Sequence, residues 1–137
     1  MRNIVLIIDN VRSVFNTASM FRTADGVGVR AIYLCGVTPE PVDAFGRTRG
    51  EFAKVALGAQ DTVPWKKYRT TTACITKLKK DGWYILALEQ ASGSVSYEVI
   101  GKHIKAKKKI ALVVGNEVEG VGKNVLKKCD ACMELPM

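Results

Sequence analysis

The chain holds one histidine, four cysteines, four prolines and two tryptophans in 137 residues, and each shortage closes off a class of function. His103 sits among lysines ahead of a strand-like run and reads as a surface residue, so histidine-centred catalysis is not expected. The cysteines, at 35, 74, 129 and 132, are too few and too scattered for a disulfide scaffold, and they fit a reducing compartment. Cys129-x-x-Cys132 resembles half of a zinc site, but no companion motif completes a tetrahedral ligand set. Packed, structural cysteines and no metal are the expectation. No apolar run approaches the ~18 residues a membrane span requires. Met1-Arg2-Asn3-Ile4 enters a strand pattern without the build of a signal peptide, which leaves the cytoplasm as the expected location. Gly-x-Gly-x-x-Gly is also missing after the first strand, which runs into Asp9-Asn10-Val11-Arg12-Ser13-Val14. Gly26-x-Gly28 follows a helix instead, and there is no Walker A string. A nicotinamide dinucleotide or ATP site of the usual kind is therefore not expected.

Apolar residues make up 47% of the chain, enough for one domain, residues 1–137, with a real core. The formal charge is +8, from 21 Lys+Arg against 13 Asp+Glu. Such a balance favours polyanionic partners, with simple solubility as the plain alternative. The excess gathers in two patches, Lys66, Lys67, Arg69, Lys77, Lys79 and Lys80, then Lys102, Lys105 and Lys107 to Lys109.

Ile4 to Ile8 is too continuous for a half-wet strand and reads as buried on both faces. Residues 11–25 carry helical spacing in Val11, Phe15, Ala18 and Arg22, closed by Asp25-Gly26-Val27-Gly28. Arg30 to Cys35 is a second strand. Gly36 to Glu51, with its prolines and glycines, reads as loop with a short helix at most. Lys54 to Ala59 is a short packing segment, and Trp65 opens an amphipathic region. Thr70 to Lys80 is a helix with Thr70 or Thr71 as cap, closed by Asp81-Gly82. Trp83 to Leu88 is a strand, Ala91 to Ser94 a turn, and Val95 to Tyr97 an extension or a short helix. Ile110 to Val114 is a strand, Val121 to Lys128 a short helix, and Ala131 to Leu135 the last strand. The order β-α-β-loop-α-β-α-β-α-β argues an α/β fold, a mostly parallel sheet with helices on both faces.

Two strand ends look like site loops, because open α/β sheets take ligands beyond the carboxyl ends of their strands. One leads into Asn16 to Asp25. The other is Gly115-Asn116-Glu117-Val118-Glu119-Gly120, where Gly115 permits close backbone approach. Asn16 and Arg22 are six positions apart and do not share a helix face. Arg22 lies by the apolar stripe and needs a partner, either a carboxylate (Glu117 or Asp25) or a substrate phosphate. Glu117 can accept from Arg22 or from a bound group. Arg47 and Arg49 can face a ligand or simply solubilise the loop.

Taken together, these segments resemble the SpoU branch of the knotted RNA methyltransferases, the TrmH-like family of the SPOUT superfamily. Its first motif matches Asn16-Thr17-Ala18-Ser19-Met20-Phe21-Arg22-Thr23-Ala24-Asp25-Gly26-Val27-Gly28, with Ala18 where many members have glycine. Its second matches Leu112-Val113-Val114-Gly115-Asn116-Glu117-Val118-Glu119-Gly120. Lys54 to Ala59 and Val63-Pro64-Trp65 match more loosely. The third begins at Leu135-Pro136-Met137, and the stretch that closes the family's knot does not follow in this chain. The resemblance implies transfer of a methyl group from S-adenosyl-L-methionine to a ribose 2'-hydroxyl of tRNA or rRNA, by a homodimer when the protein is intact. It implies Arg22, Asn16 and Glu117 as catalytic or substrate-positioning residues. It also implies Gly115, Leu135 and Met137 at the cofactor. Arg22 would act either as base or as phosphate clamp. Arg47, Arg49, Lys66, Lys67, Lys107 and Lys108 are the expected RNA contacts. A non-catalytic RNA-binding protein or inactive paralogue on the same fold is the alternative.

Overall fold

The structure, a computed structural model, describes residues 3–89 and 95–134. Its strands are β1 (Asn3–Asp9), β2 (Ile32–Cys35), β3 (Trp65–Tyr68), β4 (Tyr84–Leu88), β5 (Val95–Ser96), β6 (Lys109–Val114) and β7 (Ala131–Glu134). They form one sheet in the order β3-β2-β1-β6-β4-β7-β5, with every pair parallel. The helices are α1 (Val14–Val27), α2 (Gly50–Ala56), α3 (Ala59–Thr62), α4 (Thr71–Lys80), α5 (Tyr97–Ile104) and α6 (Lys123–Leu126).

The alternation of β1 sorts the core. Val5 and Ile7 pack on one face with Cys74, Ile75 and Leu78 of α4 and Val125 of α6. Leu6 and Ile8 pack on the other with Ala18, Phe21 and Ala24 of α1, Phe52 and Ala56 of α2, and Ala59 of α3. Ile100 and Ile104 of α5 join Leu86 and Ile110 in a third cluster. A strand covered on both faces reads as an unbroken apolar run, and β1 does.

Local signals set the helix ends. Ser13 caps α1, its Oγ accepting from Asn16 N at 3.0 Å, and Gly28 closes it at φ +81°. Thr70 caps α4 by accepting from Ala73 N at 3.2 Å, and Lys77, Lys79 and Lys80 lie in its last turn, where the helix dipole favours cations.

Two expectations need correction. Trp65 to Tyr68, read only as the opening of an amphipathic region, is the edge strand β3, paired with β2 from Ile32–Trp65 to Cys35–Tyr68. Gly36 to Glu51, read as loop with a short helix at most, gives way at Gly50 to α2, which runs on to Ala56 and is held by Phe52, whose ring meets Phe21 edge-on at 5.1 Å. The expected turn at Ala91 to Ser94 lies outside the described residues.

Candidate functional site

β1 pairs with β2 on one side and with β6 on the other, and the helices that follow β1 and β6 lie on opposite faces of the sheet. The chain therefore leaves the carboxyl ends of these two neighbours in opposite directions. That crevice is the topological switch point where α/β sheets take ligands. The first motif segment begins there and the second ends there.

Three loops are laced together at this edge. Asn10, at φ +55°, accepts from Val37 N through Oδ1 at 3.0 Å, and its carbonyl accepts from Asn116 Nδ2 at 2.8 Å. At φ +66°, Gly36 takes a left-handed conformation that suits glycine, and a Cβ there would fall 1.9 Å from Asn10 Oδ1 and displace that side chain. Thr38, fully buried, accepts from Val11 N at 3.2 Å and donates to Cys35 O at 2.8 Å. Asp9, 2% exposed, accepts from the Thr71 hydroxyl and, at 3.0 Å, from Gly122 N. Glu89 accepts from Val121 N at 2.7 Å. Both buried or half-buried acids thus spend their charge on loop backbone and on the start of α4.

Within the 115–120 loop, Asn116 Oδ1 accepts from Val118 N at 2.8 Å and Glu119 N at 3.1 Å, an Asx turn. Asn116 and Gly120 exchange backbone hydrogen bonds at 3.0 and 2.8 Å. A Cβ on Gly115 would sit 2.3 Å from Gly120 C and Val121 N. Glycine is demanded at 115 by the loop's own closure, whatever it binds.

Glu117 leaves this loop and meets α1. Asn16 Nδ2 donates to its Oε2 at 3.0 Å across 101 residues of sequence. The carboxyl is held below the ordinary carboxylate value by its own backbone N–H first, against a desolvation cost, and then by the Asn16 amide and the N–H groups of Ser13 and Arg12. No acid of α1 itself stands in the helix's first turn. The loop supplies the negative charge that a helix N-terminus favours.

Arg22 does not join this pair. It lies about 9 Å further along the α1 axis than Asn16, is exposed, and among the described residues no ion pair links it to Glu117 or Asp25. Of the partners left open for Arg22, neither carboxylate is taken up, and the group that donates to Glu117 is Asn16. Nor does Arg22 share the buried stripe, which is Thr17, Ala18, Phe21 and Ala24. It shares an exposed face with Phe15, seven positions earlier and 63% exposed.

The basic candidates divide. Lys67 Nζ donates to Thr38 O at 2.5 Å, and burial pushes its ammonium's pKa down, with Glu40 opposing. Arg49 Nε donates to Glu40 O and Val42 O at 3.1 and 3.2 Å. Both hold the 36–49 loop. Arg47 is exposed, paired with Asp43 at 3.0 Å and 5.0 Å from the Phe45 ring centre. Lys66 lies over the Tyr68 ring. Lys107 and Lys108 lie just before β6, at the amino end of the sheet, away from Asn16 and Glu117. Leu135 and Met137 lie outside the described residues, as does the His103 side chain.

The cysteines are free. Cys35 and Cys74 are buried, and hydrogen bonding to Cys35, then burial, pushes the Cys74 thiol up. Cys129 is pushed up to about 12, mainly by burial. Its thiol donates to Val125 O at 3.3 Å, and that of Cys132 to Glu89 O at 2.9 Å. Among the described residues no helix is long and apolar enough to cross a membrane.

Sequence reasoning passed over Asp9, Thr38, Thr71, Glu89 and Asn116 as site residues. Two had a usable signal, a polar residue closing or directly following a continuous apolar run: Asp9 as the last residue of β1 and Glu89 after β4.

A family model described as the SpoU rRNA Methylase family matches residues 3–137. The 23S rRNA (guanosine-2'-O-)-methyltransferase RlmB of Neisseria meningitidis serogroup B is 28% identical over 134 residues, 98% of this chain and 49% of that protein. The protein of the same name from Bordetella pertussis is 30% identical over 135 residues, 98% of this chain and 50% of its own length. Among solved structures, the AdoMet-bound rRNA methyltransferase of Sinorhizobium meliloti superposes with a TM-score of 0.85 at 26% identity, over 98% of this chain and 48% of that one. The chain spans about half the length of the curated relatives it matches.

Proposed function

Because the chain belongs to the SpoU rRNA methylase family, we propose that the protein carrying it transfers a methyl group from S-adenosyl-L-methionine to a ribose 2'-hydroxyl of RNA, tRNA or rRNA. The observation that carries this reading is the Asn16–Glu117 hydrogen bond, which ties the two matching motifs to each other at the switch point. Leu88 and Met133, half-buried register partners at the carboxyl ends of β4 and β7, offer apolar surface of the kind an adenine ring takes. Glu89 and Glu117 place negative charge at the same edge, which suits a sulfonium. The residues present therefore fit the cofactor in kind, with Gly115 closing the loop; Leu135 and Met137 are assigned to the cofactor on the family motif alone. When bound, S-adenosyl-L-methionine supplies a methyl group on a positively charged sulfur.

The task left to the protein is the nucleophile, since a ribose hydroxyl is a weak acid and must be held, aligned and relieved of its proton. Asn16 gives its Nδ2 to Glu117, and its Oδ1 has no partner among the described residues. The carboxylate polarises that amide, so Oδ1 is a hydrogen-bond acceptor that orients the hydroxyl; it is too weak a base to keep the proton, which passes to solvent as the oxygen–methyl bond forms and the carbon–sulfur bond breaks. A guanidinium is a fork of donors with no acceptor, so Arg22 acts as the clamp on the phosphate beside the reacting ribose, and it stabilises charge developing there. Arg22 and Phe15 share the exposed face of α1, which we assign to the interface of a homodimer that completes the site. The six basic residues named above serve RNA binding, with Arg49 and Lys67 acting through the 36–49 loop they hold. The protein works in the cytoplasm, without a metal.

The test uses the full-length protein, labelled S-adenosyl-L-methionine, and RNA extracted from a strain lacking the gene. Arg22→Ala is expected to lower methyl transfer about 10²–10³-fold, the usual loss for one charge-stabilising donor, while calorimetric cofactor binding persists. Cofactor binding without any transfer by the wild type would instead make the protein a non-catalytic RNA binder.

A further inference from the structure

The amino end of the sheet carries a second feature, unrelated to the crevice. An open groove of about 500 Å³ runs there between the starts of β4 and β6, lined by Trp83, Tyr84, Lys79, Lys107 to Lys109 and Asp130. Its lysines are held in an unusual way. Lys107 Nζ lies 5.1 Å from the Tyr84 ring centre, and Lys109 Nζ lies 5.3 Å from that of Trp83. A cation–π contact fixes an ammonium in place without cancelling its charge, whereas an ion pair does both. Lys109 also donates to Asp81 O at 2.6 Å, a neutral carbonyl. The acids nearby are already engaged. Asp130 accepts from Ile85 N at 2.7 Å and faces Lys79 at 3.5 Å, and Asp81 pairs with Lys77 at 3.0 Å. Among the described residues, Lys107, Lys108 and Lys109 have no carboxylate partner. Their backbone is rigid, since Asn3 N donates to Lys108 O at 2.7 Å and Lys107 N to Ile104 O at 2.8 Å.

We propose that this groove is a second RNA contact, which grips the phosphate backbone of the same substrate on the far side of the sheet from the reacting edge. It rests on the reading that RNA is the substrate. β6 joins the two places, since Lys109 opens the strand and Gly115 follows its end. At the rise of a parallel strand that separation is about 20 Å. A substrate touching both must pass along one side of the domain, so the groove selects a folded RNA over a short strand. Being far from the ribose, it contributes to binding and not to the chemical step.

The double variant Lys107→Ala/Lys108→Ala of the full-length protein is compared with Lys54→Glu, which removes the same net charge from the exposed side of α2. The probe is a fluorescein-labelled, folded RNA hairpin, followed by anisotropy across a salt series without cofactor. The groove variant is expected to bind several-fold more weakly, with the slope of log K against log salt reduced by about 2, one unit per lost phosphate contact. Lys54→Glu should leave the slope unchanged. In methyl-transfer assays with RNA from the deletion strain, the groove variant should raise KM and leave kcat alone. Equal slopes for the two variants would overturn the proposal. So would binding of vesicles rich in anionic lipid that depends on the two lysines while RNA binding does not. Groove-dependent RNA binding by a wild type that transfers no methyl group would uphold the groove and reject the methyltransferase reading.

Discussion

The two ends of the sheet handle charge in opposite ways. At the carboxyl end the acids turn inward. Asp9 holds Thr71 and Gly122, Glu89 holds Val121, and Glu117 holds Asn16 and the start of α1. The result is a set of loops with fixed geometry. At the amino end the lysines sit on aromatic faces and keep their charge for something outside the molecule. One end uses electrostatics for precision of shape, the other for attraction, and a net charge of +8 distinguishes neither.

Substitutions can break that contrast. The largest loss is expected from Gly115→Ala, because the added Cβ would meet backbone at 2.3 Å on a loop with no slack. It should cost about 3 kcal/mol in urea unfolding and expose residues 115–122 to hydrogen exchange. Asp9→Ala strands a buried hydroxyl and the Gly122 N–H. A loss of about 2 kcal/mol is expected by the same measurement. A stability unchanged by Asp9→Ala would show that the acid is not structural and would make it a new catalytic candidate.

Smaller is the effect of pH on the Glu117 tether. Its folded-state pKa is depressed below the ordinary 4.5. The stability it contributes is therefore complete above the unfolded value and lost as pH falls through the folded one. The advantage of wild type over Glu117→Gln in exchange protection of the first turn of α1 should be full above about pH 4.5 and should fade below it. A difference that stays constant from neutral pH into that acid range would mean the contact does not depend on charge. The smallest effect belongs to Lys107→Ala/Lys108→Ala, expected to change stability by no more than about 0.5 kcal/mol. A larger change in unfolding would place those lysines among the structural residues and erase the difference between the two ends.

Sequence reached different depths in different parts of the molecule. β1 and β6 were legible because strands buried on both faces leave unbroken apolar runs, and Thr70 and Gly28 marked helix ends by local chemistry alone. β3 was not, because Trp-Lys-Lys-Tyr at a sheet edge has no alternation, and only its pairing with β2 makes it a strand. α2 hid behind Gly50, since what stabilises it is Phe52 against Phe21, a contact set by tertiary packing. At the site, both loops were visible as strand ends. The partner of Glu117 was not, because the spacing of α1 locates Asn16 and Arg22 on different faces without saying which of them a loop 101 residues away will meet.

The strand order also sets a schedule. β3, β2 and β1 come from the first half of the chain, and the free side of β1 is covered only by β6. A ribosome adding about 5–20 residues per second needs roughly 5–20 s to travel the 100 positions from Asp9 to Lys109. For that interval the nascent chain presents one side of β1 as a row of unpaired N–H and C=O groups between apolar side chains, the kind of edge that pairs with other chains until its own partner covers it.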